Sequence, residues 1–166
     1  MKYATFWQRF WAMWMDFLVL LPLLVANVWF GGESKTWGAA FVIPMGLLYP
    51  AYEIYCHGKH GRTLGKYVTG IRVVRVTGDA IGWREAWLRS AVGCVFGVLY
   101  IAGSFLALAA IPNADFPAPD WMTRTERLMK YEPGWLAWTN PASEIWGWSE
   151  VVVMLLNKER RALHDF

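Results

Sequence analysis

Charge is scarce in this chain. Of its 166 residues only 17% are Asp, Glu, Lys or Arg, against about a quarter in soluble globular proteins. Cysteine is nearly absent: Cys56 and Cys94 stand alone, each in or beside an apolar run, which excludes a disulfide framework. Linker composition is missing too. No Ser/Gly-rich or Pro-rich stretch divides the chain, so residues 1–166 read as one unit. No serine or cysteine nucleophile sits beside a local base, so covalent catalysis has no support and an enzyme is not the expected class.

Apolar residues fill the space that charge leaves, at 56% of the chain. A helix needs about 20 mostly apolar residues to cross the hydrocarbon core of a bilayer. Residues 10–30 supply such a run with Asp16 as its only formal charge, 37–55 a second with Glu53 near its end, and 91–111 a third with none. A fourth, 141–156, carries Glu144 and Glu150, and Asn140 followed by Pro141 reads as its helix start. The expectation is an all-α membrane protein of four transmembrane helices. The first run follows Met1 and Lys2, but Asp16 and the lack of a small-x-small cleavage site mark a retained anchor rather than a signal peptide.

Lysine and arginine set the orientation, because short basic flanks resist translocation. Twelve of the sixteen, from Lys2 and Arg9 through the 57–90 loop to Lys158, Arg160 and Arg161, fall on one side of a four-span map. Lys35, Arg124, Arg127 and Lys130 fall on the other. Both termini and the 57–90 loop are therefore expected in the cytoplasm, with the protein multi-pass in a bacterial cytoplasmic (inner) membrane. The basic loop attracts anionic lipids at about 1 kcal/mol per residue near the surface; its charges sit where topology demands them, so nucleic acid is not an expected partner. The twelve tryptophans suit the headgroup zone, with Trp7, Trp11 and Trp14 on one helical face and Trp29, Trp37, Trp121, Trp135, Trp138, Trp146 and Trp148 near the opposite boundary.

Two elements are expected outside the bilayer. Residues 71–76 followed by Thr77-Gly-Asp79 predict a small β-hairpin in the cytoplasmic loop, and Trp83 to Arg89 a juxtamembrane helix. In the external connection, 112–140, Thr123 to Glu126 reads as a capping box opening a short interfacial helix that ends before Pro133.

The candidate motifs are few. Gly61-Arg-Thr-Leu-Gly-Lys66 has three residues between its glycines and Tyr67 after the lysine, which is not phosphate-loop spacing. His57 and His60 could ligate a metal from a helix, but Gly58 and Gly61 argue against one, so solvated loop histidines are expected, with no metal and no cofactor. Asp16 and Glu150 are the sharpest signal, since an ionised carboxylate at mid-bilayer costs about 3 kcal/mol. Asp16 lies seven residues after Arg9, on one helical face. Two readings stand: an interhelical polar clasp, or a proton or cation relay.

Taken in order, Arg9 and Asp16, Gly61-Arg-Thr-Leu-Gly-Lys66, Gly70-Ile-Arg-Val-Val74, Gly78, Arg89 and Arg161-Ala-Leu-His-Asp165 resemble the RDD family of bacterial membrane proteins. The resemblance spans nearly the whole chain. It implies that the arginine and two aspartates naming the family are here Arg9, Asp16 and Asp165, with Gly61, Thr63, Gly65, Lys66 and Gly70 forming the loop motif. It also implies a link to transport, sodium–proton exchange included in some members. Two departures are a long connection before the fourth span and an end at Phe166, where members commonly continue. Four helices are too few to enclose a solvated path. The expected function is accordingly a non-catalytic subunit or scaffold of a larger assembly, as a homo-oligomer or with other membrane subunits; the alternative is a component of a cation- or proton-coupled transporter using its intramembrane carboxylates.

Overall fold

The computed structural model describes residues 4–75, 77–116, 118 and 120–156, and among these the side chains of 150, 151 and 153–156 are not described. Six helices follow in order: α1 (Phe6–Phe30), α2 (Lys35–His60), α3 (Leu64–Val68), α4 (Trp83–Ala110), α5 (Trp121–Tyr131) and α6 (Leu136–Leu156). Among the described residues α1, α2 and α4 are long and apolar enough to cross a membrane. At 1.5 Å per residue they run from about 37 Å to about 42 Å, more than the hydrocarbon core requires.

The helix ends have local causes. Thr5 caps α1 reciprocally with Gln8, each binding the other's backbone N–H. Ser34 caps α2, and Lys35 reaches from that end to the Ile111 carbonyl beyond α4. Three of the expected boundaries move. The 57–90 loop shrinks because α2 runs on to His60, and the juxtamembrane helix is continuous with the third span because nothing between Arg89 and Ala91 breaks it. The fourth expected span begins at Leu136, so Pro141 lies inside α6 rather than at its start. That helix has the length to span, but Asn140 and Glu144 dilute its apolar character, and it is not among the three that qualify by length and composition.

The predicted hairpin is reduced to one antiparallel bridge between Val74 and Ala80, with no strand among the described residues. Arg75 N–H donates to the Asp79 carbonyl at 2.8 Å and Gly78, at φ 93°, turns the chain. Val73 spends its N–H on the Gly61 carbonyl at 3.0 Å, which stops the ladder one residue on. The interfacial helix exists as α5, but Asp120 caps it, not Thr123: the Asp120 carboxylate accepts from both Thr123 N–H and Thr123 Oγ1.

Packing centres on α2 against α4. A Cβ added at Gly46 would stand 2.8 Å from the Gly97 carbonyl oxygen and 2.7 Å from Ile101, so the two backbones meet through glycine. Close approach through small residues is how helices associate where lipid removes the hydrophobic drive between them. Leu136 of α6 fills the space over Gly103 of α4 in the same way. Val42, Leu108, Ile111 and Phe116 make the buried cluster at one end of this pair. Outside it the long helices are apolar: Trp29 is 72% exposed and Trp138 80%, an arrangement that suits lipid and not water.

Candidate polar latch at Asp16

Helix α1 buries only two of its described residues, Ala12 and Asp16, one turn apart on a single stripe. Asp16 is 4% exposed. A carboxyl so placed costs free energy unless its oxygens are bonded, and both are. Thr63 Oγ1 donates to Asp16 Oδ2 at 2.6 Å. Tyr52 Oη, from α2, donates to Oδ1 at 2.6 Å, and the Gly65 backbone N–H donates to the same oxygen at 2.8 Å. Three elements therefore meet on one side chain.

The directions of these bonds are set by their neighbours. Leu64 N–H donates to Tyr52 Oη at 2.8 Å, which leaves the phenol's own proton for Asp16. Lys66 N–H donates to Thr63 Oγ1 at 3.4 Å, the N-cap bond of α3, and so aims the threonine proton at Asp16 as well. Asp16 is acceptor in all three.

The residues of the loop motif lie in or beside this latch. Gly61, at φ 68°, ends α2 in the left-handed conformation, its N–H bonded to the His57 carbonyl at 3.0 Å. Thr63, 1% exposed, caps α3 and binds Asp16. A Cβ at Gly65 would overlap the Ala12 carbonyl oxygen and stand 2.9 Å from both the Ala12 carbonyl carbon and Asp16 Cγ, so only glycine lets α3 approach α1. Lys66 Nζ lies 2.8 Å from His57 Nε2, where an ammonium is the donor and the ring nitrogen accepts. Gly70, at φ 73°, turns the chain out of α3 with no atom near where its Cβ would be.

His57 corrects the sequence reading. It is not a solvated loop residue but 2% exposed in the last turn of α2. Gly58 does not break that helix; its missing side chain makes room for Trp83, whose Cδ2 would be 2.7 Å from an added Cβ. Among the described residues no three His, Cys, Asp or Glu side chains gather as a metal-ligand set.

The three hydrogen bonds from Tyr52, Thr63 and Gly65 to Asp16 involve none of the other candidate residues. Arg9 is half-buried on α1 two turns before Asp16, and Arg89 is half-buried on α4. Glu53 accepts from Tyr49 Oη at 3.3 Å on the same helix. Asp165 and the Arg161 segment lie outside the described residues; so does the side chain of Glu150, on α6. Sequence reasoning did not find Tyr52 and set His57 aside. The available signal for His57 was its position in the last turn of a helix, where a cationic or donor group suits the exposed carbonyls.

Three long apolar helices, with a short motif helix held to the first by a buried aspartate, define a polytopic membrane protein. The profile of the RDD family matches residues 3–166, and the chain belongs to that family. It is similar to "Uncharacterized membrane protein YteJ" of Bacillus subtilis (strain 168), with 35% identity over 115 residues that cover 62% of this chain and 70% of that relative. No solved structure matches it.

Proposed function

We propose that this protein is a non-catalytic multi-pass subunit or scaffold of an assembly in the bacterial cytoplasmic membrane. The observation that carries this reading is the inward use of the loop motif. Thr63 and Gly65 bond Asp16, and Lys66 meets His57. These groups stabilise a rigid loop rather than contact a transported or transformed substrate. Four spans, with both termini and the 61–82 connection in the cytoplasm, fit the count of twelve of sixteen basic residues on that side. The basic loop then faces anionic lipid, and the apolar flanks of α1, with Trp7 and Trp11 more than half exposed, face lipid, a second copy or another subunit.

Purification in a mild detergent after crosslinking in the membrane tests this reading. Recovery of a stoichiometric oligomer or partner is expected; a lone monomer in both membrane and detergent contradicts it. The alternative, a component of a cation- or proton-coupled transporter, draws support from the burial of Asp16 on an apolar helix. Sodium or proton flux into liposomes, abolished by Asp16→Asn and Glu150→Gln, would replace the subunit reading with that one.

A further inference from the structure

A second buried charge lies about 16 Å along α1 from Asp16, counting 1.5 Å per residue to Asn27. Arg124 of α5 is 7% exposed. Its Nη1 donates to the Asn27 carbonyl at 2.9 Å and its Nη2 to Asn27 Oδ1 at 3.3 Å, both neutral acceptors at the end of α1. A guanidinium has five N–H donors, and two are used. Among the described residues no carboxylate lies within 4.0 Å of Arg124. Buried cations are ordinarily paired, because the unpaired charge carries its full desolvation cost. Burial accordingly pulls the Arg124 guanidinium down from its ordinary value.

Arg124 also lines a cavity of about 70 Å³, together with Asn27, Tyr100, Ser104 and Glu132 among apolar residues. Tyr100 and Ser104 make no side-chain hydrogen bond among the described residues, so their hydroxyls are available to a ligand. A cavity needs roughly 10–15 Å³ to admit one water-sized group, so this one has room for a small polyatomic group. A cavity of about 220 Å³ on the other side of Arg124 is lined by Glu33 and Asp120, which disfavour an anion there. In the first cavity the single carboxyl is Glu132, and burial pushes its pKa up from the ordinary value.

We infer that the cavity against Arg124 binds a phosphate group, held by the guanidinium fork and the hydroxyls of Tyr100 and Ser104. A planar fork suits the paired oxygens of phosphate, and bonds between two charged groups are about twice as strong as neutral ones. The phosphate arrives either on a phospholipid headgroup or as the free ion. Trp29 and Trp121, amphipathic side chains of the kind found at headgroup level, line the other cavity beside Arg124.

The test uses full-length protein in maltoside micelles, which carry no phosphate. Melting is followed with inorganic phosphate, and separately with phosphatidylglycerol, against chloride at matched ionic strength. A ligand that binds only the folded state raises the midpoint with concentration. A specific rise with phosphate alone identifies a solute, and with the lipid alone a headgroup; either supports the site. Arg124→Gln abolishes the rise, but it also uncaps α1. The Tyr100→Phe/Ser104→Ala variant is therefore decisive: its midpoint without ligand stays near wild type while affinity falls about tenfold or more through two lost hydrogen bonds. Glu132→Gln binds at least as tightly as wild type. No response to either phosphate beyond chloride, full affinity in the double variant, or weaker binding by Glu132→Gln would each overturn the assignment.

Discussion

Replacing Gly65 by alanine adds one methyl group, and the structure says where it goes. The new Cβ would overlap the Ala12 carbonyl oxygen and stand 2.9 Å from its carbon, where ordinary contact begins at 3.4 Å. Helix α3 must withdraw from α1 by at least 0.5 Å, the difference of those two distances, and further to clear the oxygen. The Gly65 N–H bond to Asp16 starts at 2.8 Å and lengthens by a similar amount. A hydrogen bond to a carboxylate contributes about 1.5–3 kcal/mol and overpacking costs about 1–3 kcal/mol, so the expected loss is roughly 3–5 kcal/mol. Reversible unfolding in mixed micelles, followed by tryptophan emission, measures it. Two controls isolate the cause. Gly134→Ala meets nothing within 4 Å and is expected to be silent, whereas Gly70→Ala, also unobstructed, pays only the left-handed backbone cost of about 1–2 kcal/mol. Stability of Gly65→Ala within about 0.5 kcal/mol of wild type would refute the close-approach argument, since that is the range of an ordinary surface change.

Other perturbations test other joints. Tyr52→Phe removes both the donor to Asp16 and the acceptor for Leu64 N–H; a loss of about 1–3 kcal/mol is expected in the same unfolding assay. Gly97→Ala places a methyl against the Gly46 backbone at the α2–α4 crossing, and should lower the melting midpoint more than Gly147→Ala, which meets nothing within 4 Å. The Asp120 carboxyl is held below its ordinary 3.8, first by the Thr123 N–H and then by the Thr123 hydroxyl. Its capping contribution is therefore fully present above pH 3.8 and is lost as pH falls through the lower folded-state value, read as faster amide exchange in the first turn of α5. Asp120→Asn should flatten that acid dependence.

The long helices were legible because their signal is local. Runs of apolar residues at 10–30, 37–55 and 91–111 needed no tertiary information, and Asp16 stood out because charge is costly in such a run. Its partners were not legible. Thr63 and Gly65 lie 47 and 49 residues away, and no periodicity links positions so far apart. The glycines misled for a definite reason: composition marks them as breakers, whereas Gly58 sits inside α2 to admit Trp83 and Gly61 follows the helix it ends. Pro141 misled in the same way. It suits a first helical turn, yet α6 begins five residues earlier at Leu136. Arg124 carried no sequence signal at all, because one arginine on a short amphipathic helix reads as solvent-facing until its burial is known.

The most direct test of the latch is a double-mutant cycle on Asp16→Asn and Thr63→Val, two nearly isosteric changes on bonded side chains. If Asp16 holds α3 through Thr63, the two losses of unfolding free energy are strongly non-additive, with a coupling of about 1–3 kcal/mol. Additivity within about 0.5 kcal/mol would mean that the two residues act independently, which contradicts a latch closed through Thr63.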